Sequence, residues 1–385
     1  MEEVEVIIVG AGPAGVATSA CLNRLKITNL VLEKEDCCGS LWKKRAYDRL
    51  KLHLAKQFCE LPYMPYPQGT AKYIPRSGFI QYLDNYVKHF GISPRYHREV
   101  QSAFYDPKME KWCVMAKNTT SNVQEVYCGK FLVVATGENS EGYIPKIRGL
   151  DTFKGDFMHS SLYENGKAFR GKEVLVIGSG NSGMEIAYDL TNHKTKTSIC
   201  ARSPVHVLTK EIVFIGMFLL TSGFPLLLVD IIVVILSMLR HGNLSKYGFQ
   251  RPRKGPFYIK QITGRTPTID VGCVDKIKTG EVKVFPSIEG IEGNQIKFEN
   301  GMVNHFDAII FATGYKSTVN YWLKDENIFF NENGMPKPKF PNHWKGENGL
   351  YSAGFSGRGL FGVSNDAQNI ANDIFFALNK RKRRI

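Results

Sequence analysis

Two glycine runs constrain this 385-residue chain more than any other feature. The first is Gly10-Ala11-Gly12-Pro13-Ala14-Gly15. It follows VEVIIV at 4–9, which reads as a short buried strand, and precedes VATSACLNRL, which reads as a helix. In the order strand, G-x-G-x-x-G, helix, each glycine has a task. The first makes a tight turn, the second lets a pyrophosphate approach the backbone, and the third allows close helix packing. The start of the helix offers bare N–H groups and a positive dipole end to the phosphates. The next strand, NLVLEK, carries Glu33 where an acid meets ribose hydroxyls.

The pattern returns after EVLVI, where Gly178-Ser179-Gly180-Asn181-Ser182-Gly183 opens the helix MEIAYDL. The following strand, TSIC, ends differently. Arg202 and Ser203 stand where the first unit has its acid. An arginine fork binds the 2′-phosphate that a carboxylate would repel. The first site is therefore expected to hold a nucleotide with free ribose hydroxyls, and the second NADP. Two such sites in one chain suggest a flavoprotein fed by a nicotinamide, with FAD on the first loop and NADPH on the second. FLVVATG (131–137) and AIIFATGY (308–315) are similar and look like paired strands on either side of the second glycine unit. The expected fold is α/β, with two Rossmann-like dinucleotide-binding domains and the NADP domain inserted into the FAD domain. The expected bounds are 1–165 and 308–385 for FAD and 166–307 for NADP.

Between the units lies Phe153-Lys154-Gly155-Asp156-Phe157-Met158-His159-Ser160-Ser161-Leu162-Tyr163. It resembles F-x-G-x-x-x-H-x-x-x-[YF], the identifying motif of class B flavin-containing monooxygenases. In that family the motif links the domains and positions them for NADP. Glu164 departs from the Lys or Pro common at the next place. Stretches 39–67, ATGEN (135–139), 266–284 and GRGLFGVSNDAQNIANDI (357–374) are similar to the YUCCA-type monooxygenases of plants. This resemblance covers nearly the whole chain. Gly39 and Ala55 are small departures, Ala55 standing where many relatives have Pro. The resemblance implies auxin biosynthesis by oxidative decarboxylation of an aryl 2-oxo acid, indole-3-pyruvate, to indole-3-acetate. FAD, NADPH and O2 would be used, through a C4a-(hydro)peroxyflavin. The scattered cysteines and a start unlike a targeting peptide imply a cytoplasmic protein, with the cytosolic face of the endoplasmic reticulum as an alternative station.

Side-chain roles are less constrained. His53 falls where other flavin monooxygenases carry an asparagine facing the flavin, so it is either an active-site group or a satisfied core histidine. Asn139, just after an A-T-G turn, is either a hydrogen-bond partner of nicotinamide or flavin or an ordinary turn residue. Trp42 packs near the isoalloxazine or in the core. His159 and Tyr163 read as positioning residues. Arg49 or Arg358 could fork a substrate carboxylate, with surface ion pairing as the alternative.

No Ser/His/Asp triad and no metal-ligand spacing occurs, which fits chemistry carried by a cofactor. The eight cysteines lack a CxxC pair and read as reduced thiols. That argues against a disulfide oxidoreductase of similar architecture. An N- or S-oxygenating monooxygenase and a non-enzymatic NADP-binding flavoprotein remain as rivals. The net charge is +14, but 240–260 carries six Lys/Arg and the tail Lys380-Arg381-Lys382-Arg383-Arg384 five, with no acid in either. No nucleic-acid motif accompanies the charge. The apolar run 212–239 has one charge, Asp230, and is broken by Gly223 and Pro225. It reads as two short helices that line a pocket or, with the basic stretch to 260, touch a membrane surface. A true span is the third reading.

Overall fold

The computed structural model describes residues 2–324 and 329–382. The chain divides into two units. One comprises Met1–Arg45, Ala55–Glu141 and Tyr315–Ile385; the other comprises Ala46–Leu54 and Gly142–Gly314. The second interrupts the first, but its edges differ from 166 and 308. Strands Asp156–His159 and Ala308–Phe311 both hydrogen-bond into the second unit's sheet, so both edges move outward. The excursion Ala46–Leu54 also belongs there.

In the first unit, strand Glu2–Val9 runs parallel to Asn29–Leu32 and to Gln124–Val134, with Val9 opposite Leu32 and Val134. Val6, Ile7 and Ile8 are fully buried, as expected of a parallel strand covered on both faces. Burying each such side chain contributes roughly 1.5–3 kcal/mol. Strand Gln124–Val134 forks. Its first half pairs antiparallel with Lys111–Asn118, and its last residues pair parallel with Leu350–Ser352. Arg98–Asp106 and then Leu323–Lys324 extend the antiparallel side. Trp112, Tyr127, Leu132 and Phe355 fill the core.

The second unit is built on a five-stranded parallel sheet. Its order is Val282–Phe285, Lys196–Cys200, Glu173–Ile177, Ala308–Phe311, Asp156–His159. The two A-T-G strands therefore do not pair with each other. Each runs beside the glycine-loop strand of its own unit. An antiparallel sheet, Ile288–Glu292, Gln295–Phe298 and Val303–His305, follows.

The apolar run forms helices Lys210–Thr221 and Leu226–His241, broken where Gly223 takes φ +85. With helix Pro256–Thr263 they lie between the paired strands Val207–Thr209 and Thr268–Asp270. Asp230 is buried and caps that third helix, accepting from the N–H of Phe257 at 2.8 Å and of Tyr258 at 3.0 Å. Among the described residues no helix is long and apolar enough to cross a membrane. Of the basic tail, Lys380 is exposed on helix Gly359–Lys382, and Arg383 and Arg384 lie outside the described residues.

Candidate active site

The two glycine loops have nearly the same geometry. Gly10 sits at φ +105, and a Cβ there would lie 2.6 Å from the Ala135 carbonyl oxygen. At Gly178, φ is +111 and the distance to the Ala312 carbonyl oxygen is 2.4 Å. A Cβ on Gly15 or Gly183 would lie 1.9 Å from the carbonyl oxygen of Gly10 or Gly178 respectively. In each loop the first and third glycines are thus required by the protein's own backbone, and the A-T-G alanine is the residue that presses on the turn. Gly12 and Gly180 are different, because nothing among the described residues lies within 4 Å of a Cβ on either. Each precedes a helix, Pro13–Arg24 or Asn181–Asn192, that has no side-chain cap and no acid in its first turn. The result is two open cradles of uncapped N–H groups, shaped for a diphosphate.

Around the first cradle, Glu33 is buried. Its carboxylate accepts from the N–H of Ala11 at 2.7 Å and of Glu35 at 3.0 Å. Burial raises its pKa above the ordinary value, and the two backbone donors oppose that shift. Each oxygen keeps a lone pair for a ribose hydroxyl. Thr136, in the A-T-G turn, has a buried Oγ1 with no hydrogen-bond partner among the described residues. Ser140 closes the same turn onto the carbonyls of Thr136 and Gly137, both at 2.7 Å. Asn139 is exposed beside it. Trp42 packs edge-on to Phe79, with ring centres 4.6 Å apart.

Around the second cradle, Arg202 is exposed just past strand Lys196–Cys200 and has no acidic partner among the described residues. Ser203 follows it, half-buried. The excursion Ala46–Leu54 packs on the helix that opens from this loop. His53 Nε2 lies 3.1 Å from Glu185 Oε1, and His53 Nδ1 lies 3.4 Å from Asn181 Nδ2. Asn181 Oδ1 accepts from the Ile269 N–H at 2.7 Å, which turns its amide nitrogen toward the imidazole. Nδ1 is then the acceptor, and Nε2 donates to the carboxylate. Glu185 is buried, which alone would raise its pKa. The His53 and Tyr47 hydrogen bonds and the Lys210 ammonium together outweigh this and hold it below the ordinary value. Tyr47 shares its hydroxyl with Glu185 and Ser182, and burial keeps it protonated.

The linker motif is also absorbed within the second unit. A Cβ on Gly155 would lie 2.2 Å from the Asp307 carbonyl oxygen, so only glycine fits. His159 Nδ1 accepts from the Ser161 N–H at 3.1 Å, so Nε2 carries the proton and donates to the Gly314 carbonyl at 2.9 Å. Burial lowers its pKa, consistent with a neutral ring. Tyr163 donates to Asp189 Oδ2 at 2.7 Å. Neither group is free for acid–base work. The Arg49 guanidinium lies 4.3 Å over the Tyr188 ring and the Arg358 guanidinium 3.6 Å over Phe340. No ion pair holds either one among the described residues.

Sequence spacing did not signal Tyr47, Glu185 or Thr136. Glu185 could have been suspected, because a carboxylate on the buried side of a loop helix needs a partner.

Two dinucleotide cradles, one at the parallel part of a mixed sheet and one on a parallel sheet, define the class: an oxidoreductase fold that brings two nucleotide cofactors to one chain. The description "Flavin-binding monooxygenase-like" matches residues 3–344, and the chain belongs to that family. It is 52% identical over 373 residues to "Probable indole-3-pyruvate monooxygenase YUCCA10" of Arabidopsis thaliana, covering 97% of each chain. It is 45% identical over 383 residues to "Indole-3-pyruvate monooxygenase YUCCA4" of Oryza sativa subsp. japonica, covering 96% of this chain and 86% of that one. A flavin-containing monooxygenase from Stenotrophomonas maltophilia has the same fold at 18% identity, with a TM-score of 0.73 over 98% of this chain and all of that one.

Proposed function

We propose that this chain converts indole-3-pyruvate to indole-3-acetate with FAD, NADPH and O2. The observation that carries the substrate is the 52% identity spanning 97% of both chains with a relative named for that reaction. The balance is indole-3-pyruvate + NADPH + H⁺ + O2 → indole-3-acetate + CO2 + NADP⁺ + H2O. Bound flavin and nicotinamide supply the redox chemistry and oxygen activation.

The chain's own residues bind and orient. Gly10, Ala11, Gly12, Pro13, Ala14 and Gly15 hold the FAD diphosphate against the helix N-terminus, Glu33 accepts from its ribose, and the Thr136 hydroxyl is a spare donor beside it. Gly178, Ser179, Gly180, Asn181, Ser182 and Gly183 hold the NADPH diphosphate, with Arg202 and Ser203 on the 2′-phosphate. His53 acts through Glu185 and Asn181, fixing the first turn of the second loop's helix. The open Cβ directions at Gly12 and Gly180, the buried Glu33 and the unpaired Arg202 support this assignment.

The test is anaerobic reduction of purified, flavin-loaded protein by NADPH, followed by O2 and indole-3-pyruvate. Expected products are CO2 and indole-3-acetate, identified by mass. Flavin that stays oxidised under NADPH would overturn the reading. So would reduced protein that oxygenates amines or sulfides while leaving the 2-oxo acid intact.

A further inference from the structure

His343 and Asp366 are polar, yet only 2% and 1% exposed. His343 Nε2 donates to Asp366 Oδ1 at 2.9 Å, and Asp366 Oδ2 accepts from the Gly354 N–H, also at 2.9 Å. His343 Nδ1 is buried with no hydrogen-bond partner among the described residues, so the hydrogen bonding of the ring serves the carboxylate alone. A buried pair of this kind is often no more stabilising than apolar side chains of the same volume. What it adds is direction. With one oxygen held by the imidazole, the other is aimed at a single backbone N–H.

That N–H belongs to a turn beside the first cradle. Leu350–Ser352 runs parallel to the end of Gln124–Val134, and the Ala353 N–H donates to the Val134 carbonyl at 2.9 Å. The turn that starts at Ala353 therefore leaves the carboxyl ends of the same parallel strands as Gly10 and the first A-T-G turn, which is where open α/β sheets bind their ligands. Gly354 has φ +83, and a Cβ there would lie 2.9 Å from the Ala14 Cβ. Its bare backbone thus sits against the first turn of helix Pro13–Arg24, the helix that opens from the cradle. Asp366 comes from helix Gly359–Lys382, which packs along Pro13–Arg24. The Ser352 hydroxyl donates to the His343 carbonyl at 2.7 Å and ties the backbone of that histidine to the same strand end. Phe340 stacks on the His343 ring with centres 5.8 Å apart, and it also carries the Arg358 guanidinium from the far side of the turn.

We propose that His343 and Asp366 are positioning residues of the FAD site. The pair fixes the Gly354 turn against Ala14, so that the first cradle holds its open form before the cofactor arrives and less ordering is left for binding to do. Both residues act through Gly354 rather than on the reacting atoms. The inference rests on reading the first cradle as the FAD site.

The test compares the full-length, flavin-loaded parent with Asp366→Leu and Asp366→Asn. Flavin release on dilution, read as recovery of free-flavin fluorescence, gives the Kd for FAD. The KM for NADPH is measured in excess FAD, and melting temperatures are taken alongside. Leucine removes both hydrogen bonds, and Asp366→Leu is expected to raise the FAD Kd about tenfold or more. Asparagine keeps the shape and still accepts from Gly354, but without charge. Asp366→Asn is therefore expected to fold like the parent and to raise the FAD Kd about threefold. In both variants the KM for NADPH should stay near the parental value. A melting temperature that falls while the FAD Kd stays parental would overturn the proposal, because the pair would then hold the fold alone. An FAD Kd and a KM for NADPH that rise together would also overturn it, as a general loosening. If Asp366→Leu does not fold, Asp366→Asn decides, and a parental FAD Kd there overturns the proposal. A parent that binds no FAD would overturn the reading of the first cradle together with this inference, whereas variants that hold FAD as tightly as a flavin-loaded parent would overturn this inference alone.

Discussion

Gly180→Ala and Gly183→Ala each add one methyl to the second loop, with opposite expected outcomes. Gly180 has φ −77 and ψ −173, extended backbone that any residue adopts, and a Cβ there meets nothing within 4 Å. Two small effects act on folding. Losing glycine's freedom in the unfolded chain stabilises by about 0.4–1 kcal/mol. Alanine is a poorer helix N-cap than glycine by a similar amount, about 0.5–1 kcal/mol. They offset, so the melting temperature should move by less than about 2 °C. The methyl nevertheless occupies the space into which a diphosphate oxygen must come. At Gly183 the Cβ would sit 1.9 Å from the Gly178 oxygen and 2.9 Å from its carbon. These are backbone atoms of the tight turn and do not rotate aside. Overpacking of this kind costs roughly 1–3 kcal/mol, and more where backbone has to shift. Thermal melts, flavin content and the KM for NADPH separate the two cases. Gly180→Ala should keep its melting temperature and flavin while the KM for NADPH rises about tenfold or more, tenfold being about 1.4 kcal/mol. Gly183→Ala should lose stability first. A Gly180→Ala protein with the parental KM for NADPH would refute the argument that this glycine faces the nucleotide.

Arg202→Gln should raise the KM for NADPH and leave that for NADH nearly unchanged, and equal losses with both would remove Arg202 from the 2′-phosphate. His53→Ala leaves Glu185 buried with fewer donors, at a cost of about 1–3 kcal/mol. It should lower the melting temperature and raise the KM for NADPH at constant kcat, whereas a fall in kcat alone would return His53 to the chemistry. Glu125 gives a pH test. Arg98 and then the Tyr127 hydroxyl hold its carboxyl at about 2, below the ordinary value of 4.5. A depressed acid contributes stability that is present above pH 4.5 and lost as pH falls toward 2. In melts across that range, Glu125→Gln should lose less stability than the parent.

The parts of this structure that could be read from sequence are those set by neighbouring residues. Strand, three glycines and helix are local, so both cradles, Glu33 and Arg202 could be placed from spacing alone. The break of the apolar run at Gly223 and Pro225 was equally local. What depended on partners far along the chain was not visible. No local signal says that Asp156–His159 and Ala308–Phe311 share a sheet, or that Ala46–Leu54 leaves the first unit to reach the helix after Gly183. The role of Asp230 was hidden for the same reason, since the N–H groups it caps belong to Phe257 and Tyr258. His53 drew attention by type and position, but its partners Glu185 and Asn181 are supplied by the fold.

The interleaving of the two units sets an order of birth. During synthesis the second unit's sheet has all five strands once Phe311 has emerged. The first unit still waits for Leu350–Ser352 to reach Leu132–Val134. At ribosomal speeds of about 5–20 residues per second that wait lasts some seconds. The later-starting unit is therefore the first to have all its strands, and strand Gln124–Val134, the neighbour of the strand that bears the first cradle, keeps one side of its last residues unfilled until Leu350–Ser352 arrives.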